Sequence, residues 1–165
     1  MRYRIEISLR LQQLYLFEDD VNGDPQLIHQ YPVSTAANGA GEKMGSYKTP
    51  RGKHIISDKI GAGAPLNAVF SARLATGEIW HPQLSLAHPE RDWILTRILW
   101  LDGCESGKNK GGDVDTHARY IYLHGTSEEH HIGTPASHGC VRMRNADIVE
   151  LFERVDVGTH VNITD

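Results

Sequence analysis

Ile5, Ile7, Leu9 and Leu11 alternate with polar or charged side chains, the period of an extended strand with one wet face. That alternation constrains the fold most, because the same reading recurs along much of the chain. "LYLF" at 14 to 17 stays extended beyond an expected bulge at Gln12 and Gln13, so the chain opens as a strand or hairpin. "VNGD" at 21 to 24 carries an Asn-Gly turn, and "LIHQYPVST" resumes the extended run, with Pro32 marking an edge or a strand end. A meander results. "WILTRILWL" at 93 to 101 offers apolar residues to both faces and reads as a central strand buried on both sides, with a short helix as the alternative. "RYIYLHG" at 119 to 125 is the next strand and puts His124 at its carboxyl end; "GTHVNI" at 158 to 163 closes the domain.

Only one stretch has a helical stripe. Asn145 is expected as its N-cap, followed by Ile148, Leu151, Phe152 and Val155 at i, i+3, i+4, i+7 spacing. "ANGAGEKMGSYKTPRG" and "DKIGAGAPLN" hold too many breakers for either element and are read as loops. Residues 102 to 117 form a long polar loop, either a lid over a cleft or a disordered segment. The sum is a strand-rich sandwich or compact barrel, a single domain over residues 1 to 165.

A balance of 17 Lys+Arg against 21 Asp+Glu, without a long block of either sign, argues against a nucleic-acid partner. No apolar run approaches a membrane span. Glu6, Arg10 and the paired glutamines interrupt any signal-peptide core near the start, so a cytoplasmic location is expected. The two cysteines, Cys104 and Cys140, lie in dissimilar contexts and are read as free thiols.

The chemistry concentrates in "HGTSEEHHIGTPASHGCVRM" at 124 to 143, which holds four of the ten histidines and Cys140. A thiol with an ordinary pKa of about 8.5 is mostly protonated at neutral pH, so a nucleophilic cysteine needs an imidazole beside it. His124 and His138 are the candidates, and His124, on a strand end, is the more rigidly held. Gly139 lets the backbone approach a ligand, so that adjacent N–H groups could face an oxyanion. His130 and His131, flanked by glutamates, read as a solvated loop tip, Cys104 as incidental, and the six remaining histidines as filler. A zinc site from His124, His130 or His131, His138 and Cys140 is the rival, but its spacing fits no compact zinc motif. Asn109, Asp113 and Asp115 lack the ligand order of a calcium loop.

"HGT" at 124 to 126 and "SHGCVRM" at 137 to 143, with "YPVSTA" and "KTPRG" upstream, resemble the YkuD-type L,D-transpeptidase catalytic domain over nearly the whole chain. The spacing from histidine to cysteine is toward the short side of the family's pattern. The resemblance implies a mainly β fold, a YkuD-like β-sandwich of mixed sheets with one clear helix near the C-terminus. It implies Cys140 as the nucleophile on the carbonyl between the L centre of a diamino acid and the terminal D-alanine of a murein tetrapeptide, free or sugar-linked. His124 would be the base, oriented by the backbone carbonyl of Gly125; His138 and Gly139 belong to the same motif, and the N–H groups of Gly139 and Cys140 would hold the oxyanion. Ser137 and Arg142 are expected at the substrate, Arg142 either gripping a carboxylate or buttressing the loop. Arg73, Arg97 and Arg119 either meet a substrate carboxylate or lie on the surface. No metal or cofactor is implied. Together with the cytoplasmic expectation this points to an L,D-carboxypeptidase of murein recycling; the alternatives are an exported cross-linking L,D-transpeptidase and a non-catalytic murein-peptide binding module.

Overall fold

The amino-terminal alternation folds as a tight hairpin. In the computed structural model, which describes residues 2–165, β1 (Tyr3–Ser8) runs antiparallel to β2 (Gln13–Asp19). Ile5 and Ile7 point into the core, as do Leu14 and Leu16 on the partner strand. The expected bulge at the glutamines is instead the turn itself: Gln12 adopts a φ of 53°, and Leu11 is left exposed. The Gln12 side chain is drawn inward to Thr35, bonding its hydroxyl and accepting its N–H. The alternation fades at Leu9, which packs partly against the core, and fails at Leu11, where the inward-drawn Gln12 fixes the reversal.

The Asn22–Gly23 turn connects β2 to β3 (Pro25–Ser34), as its sequence predicts. β4 (Gly52–Ile60) follows; its last residues, 58 to 60, were expected to be loop. A small hairpin, β5 (Ala68–Ser71) and β6 (Leu74–Ile79), and a six-residue helix α1 (Pro82–Ala87) precede the central strand β7 (Ile94–Gly103). Then come β8 (Tyr122–Gly125), β9 (Val141–Met143), helix α2 (Asn145–Arg154) and β10 (His160–Thr164).

The strands form one mixed sheet in the order β4-β10-β1-β2-β3-β9-β8-β7-β5-β6, and an additional β4–β7 pairing closes it on itself. The result is a barrel-like sandwich with the β5–β6 hairpin branching from β7. β1–β10 and β8–β9 are parallel pairs, and the other strand pairs are antiparallel. Closure leaves few free edges to template further strands.

β7 is buried on both faces, as its sequence requires. Leu99 and Leu101 join the main core with Leu123, Val141, Met143 and the stripe Ile148, Leu151, Phe152 and Val155 of α2. Ile98 faces the other way into a second cluster with Phe70 and Tyr122. A strand lined on two sides has no wet face, hence the unbroken apolar run. This second cluster has Cys140 packed against its margin.

Candidate active site

Strand alternation builds the site. On β8, Leu123 faces the main core and Tyr122 the second cluster, so His124 shares the outer side of Tyr122. On β9, Val141 and Met143 face the core, which turns Arg142 outward, and Cys140 sits just before the strand on the same side. The parallel register pairs Leu123 with Val141 and His124 with Arg142. Cys140 and His124 are therefore diagonal neighbours on one face. Asp92 and Arg142 act on both groups in opposite senses: the aspartate favours the imidazolium and opposes the thiolate, and Arg142 does the reverse.

His124 is 1% exposed and its Nδ1 lies 2.6 Å from the carbonyl oxygen of Gly125. A carbonyl only accepts, so Nδ1 carries the proton and Nε2 keeps its lone pair. Burial holds the imidazole below its ordinary pKa, against the opposing pull of the Gly125 carbonyl. The Cys140 thiol donates to Tyr120 O at 3.3 Å and accepts from the Tyr122 N–H at 3.3 Å. Burial pushes it up to about 12, with Asp92 adding to the rise and the Tyr122 N–H, Arg142 and Arg119 opposing it. The resting pair is thus neutral thiol and neutral imidazole, with a basic nitrogen available.

The loop before the cysteine is locked from behind. Gly139 has a φ of 134°, and a Cβ there would meet Ile121 Cδ1 at 3.1 Å and Lys48 O at 3.3 Å. Its carbonyl accepts from Thr49 Oγ1 at 2.8 Å, which gives the upstream "KTPRG" segment a physical part in the site. Ser137, expected at the substrate, turns inward instead: it is 1% exposed, donates to Cys140 O at 2.5 Å and accepts from the Gly139 N–H at 3.2 Å. A hydroxyl committed to two backbone groups of its own loop braces that loop. Arg142 adopts the buttressing alternative. Its guanidinium lies 3.4 Å from Asp92 and 3.5 Å from both Glu128 and the Ala136 carbonyl.

A groove of about 290 Å³ opens above the thiol, with His138, Arg73, Arg119, Tyr120 and Asp92 among its lining residues. His138 is exposed on this rim and meets Tyr47 edge-on. Arg73 stacks over Trp100 and Tyr120 and donates to the Tyr122 hydroxyl at 3.1 Å. Arg119 binds the carbonyls of Gly41, Glu42 and Lys48. Arg97 is buried elsewhere, on the carbonyls of Ala64 and Thr96. The 102–117 loop contributes nothing to the groove and is tied down through Asn109 to Arg51 and Lys53, so it forms no lid here. The rival zinc set is not assembled: among the described residues the three-donor cluster is Glu128, His130 and His131, without His124, His138 or Cys140.

Asn145 was expected to cap α2, yet it is the first helical residue, with Arg144 at the cap position. Glu129 supplies the cap from outside, accepting the Asn145 N–H at 2.7 Å and its Nδ2 at 3.0 Å. The amide also donates to Thr126 O at 2.9 Å and accepts from Thr96 Oγ1 at 2.6 Å, tying β7 and the end of β8 to the helix. Gly125 must be glycine because a Cβ would press into this amide and stand 2.7 Å from Leu95 O. Sequence reasoning missed Asp92 altogether; nothing local marks an aspartate that acts across the sheet.

The family model of the L,D-transpeptidase catalytic domain matches residues 2–163. The chain belongs to the YkuD L,D-transpeptidase family. It is similar to the probable L,D-transpeptidase YbiS of Escherichia coli, 53% identical over 148 residues, which is 86% of this chain and 46% of YbiS. The chain thus spans about half the length of that curated relative. Among solved structures, Bd1075 of Bdellovibrio bacteriovorus is similar with a TM-score of 0.59 at 20% identity, over 99% of this chain and 48% of Bd1075. L,D-transpeptidase 3 of Mycobacterium tuberculosis, solved with a faropenem-derived adduct, has a TM-score of 0.54 at 15% identity over 99% of this chain and 60% of its own. At those identities the structures establish the YkuD fold.

Proposed function

We propose that this YkuD domain performs cysteine-dependent acyl transfer on murein stem peptides. The carrying observation is that Cys140, just before β9, lies on the face of the parallel β8–β9 pair that bears His124, with the His124 tautomer set by Gly125. His124 Nε2 takes the thiol proton as sulfur attacks the carbonyl between the L centre of the diamino acid and the terminal D-alanine. The Gly125 carbonyl steadies the imidazolium that forms, the part a carboxylate plays in other triads. Ser137 occupies the Gly139 N–H, so the Cys140 N–H is the donor left to meet the oxyanion. Collapse of the adduct passes the proton to the departing amine of D-alanine and leaves a thioester on Cys140. Ser137 and Arg142 act as positioning residues; Arg73 and His138 face the substrate.

The acceptor decides the product. The similarity to YbiS favours an amine from a second stem peptide, giving a cross-link. Water is the second reading, favoured by a groove of about 290 Å³, at the lower end of small-ligand pockets and sized for one peptide end. The hydrolytic reading carries with it a cytoplasmic place in murein recycling. Incubation with a muramyl tetrapeptide, with and without an amine acceptor, tests both. Dimer formation supports cross-linking, D-alanine release without dimer supports the carboxypeptidase, and neither product would refute acyl transfer.

A further inference from the structure

We propose that Glu128, His130 and His131 form a binding site for a divalent transition metal of the zinc class, distinct from the thiol groove. The three side chains project from the short 3-10 turn Glu129–His131 and the residue before it, with one donor atom of each within 4.8 Å of the others. His131 Nε2 stands 3.3 Å from Glu128 Oε2. Two donors on one tetrahedral ion, each bonded at roughly 2.0–2.1 Å, stand about 3.3–3.4 Å apart. That pair already has the required spacing. The His130 ring leans against that of His131 with centroids 4.1 Å apart, and its donor nitrogen lies within 4.8 Å of the other two donors.

Two imidazoles and a carboxylate select zinc, nickel or copper over magnesium and calcium, and leave a coordination position for water. The donors are also held from behind. Arg142 faces Glu128 Oε1 at 3.5 Å, which leaves Oε2 for His131. Glu129 anchors the turn to Asn145, and Thr134 Oγ1 donates to His131 O at 2.8 Å. The Arg142 contact orients the carboxylate ligand, and the other two fix the turn that carries the histidines. The three residues are half-buried or exposed, so an ion has access, and none of them lines the thiol groove.

Zinc chloride titrated into the full chain by equilibrium dialysis, paired with cobalt(II) absorption, tests the site independently of turnover. One equivalent should bind to the wild type and to Cys140→Ala alike. Affinity should drop at least about 10-fold in His130→Ala and in His131→Ala. Cobalt should give tetrahedral d–d bands without a thiolate charge-transfer band. Binding that survives both histidine substitutions, or disappears with Cys140→Ala, would overturn the proposal.

Discussion

Asn145→Ala is the substitution whose cost the structure defines best. The amide is 5% exposed and joins three elements through the Thr96 hydroxyl at 2.6 Å, Thr126 O at 2.9 Å and Glu129 Oε2 at 3.0 Å. Glu129 keeps the Asn145 N–H after truncation, but Thr96 and Thr126 lose buried partners. At about 1–3 kcal/mol for each orphaned group, the loss is about 3 kcal/mol or somewhat more. With a urea slope of about 1–3 kcal/mol/M, the unfolding midpoint should fall by about 1–3 M. Tryptophan fluorescence in a urea series reads this directly. Asn145→Asp sharpens the test: it keeps an acceptor for Thr96, loses both donors, and sets a second carboxylate against Glu129. Its folded pKa would lie above the unfolded value of about 3.9, so its stability is retained at low pH and declines as pH rises through that range. A midpoint shift under about 0.3 M for Asn145→Ala would refute the reasoning, since no reading of the network allows so small an effect.

Three further outcomes are expected. His54 is fully buried between Gly52 O and Thr116 Oγ1, and burial lowers its pKa from 6.5 to about 4. The unfolded chain therefore takes up a proton first: stability should fall by about 3 kcal/mol as pH drops from the ordinary to the folded value, then level off, and His54→Gln should flatten that limb in urea midpoints against pH. Gly139→Ala, at a φ of 134°, should cost about 1–3 kcal/mol and alter the alkylation rate of Cys140 by iodoacetamide. Because burial holds His124 below its ordinary value, the acid limb of kcat/KM for tetrapeptide should lie below about pH 6.5, and His124→Gln should abolish that limb along with most activity.

What could be read from the sequence was local. The hairpin turn at Asn22–Gly23, the double-faced run of β7 and the stripe of α2 each declare themselves within a dozen residues, and so does the placement of His124 at a strand end. β6 did not, because it carries no buried residue and so no pattern. The end of β4 was masked by a neighbouring glycine-rich run. Gln12 and Asn145 misled for one shared reason: each is a polar residue with buried partners distant in sequence, Thr35 for one, Thr96 and Thr126 for the other. Ser137 misled because a residue in a reactive motif can serve the loop instead of the ligand. The motif names Cys140 and His124, and the β8–β9 register puts them on one face; Arg73 is one of three arginines the sequence could not rank, and Asp92, on the loop before β7, carries no local mark at all.

The central claim is a Cys140 sulfur that becomes acylated with His124 as its base. Intact-mass and peptide mapping after rapid quench with a muramyl tetrapeptide tests it most directly. A tripeptidyl thioester should appear on Cys140 and not on Cys104, vanish in Cys140→Ala and accumulate far more slowly in His124→Gln. D-alanine release that persists in Cys140→Ala would contradict the account.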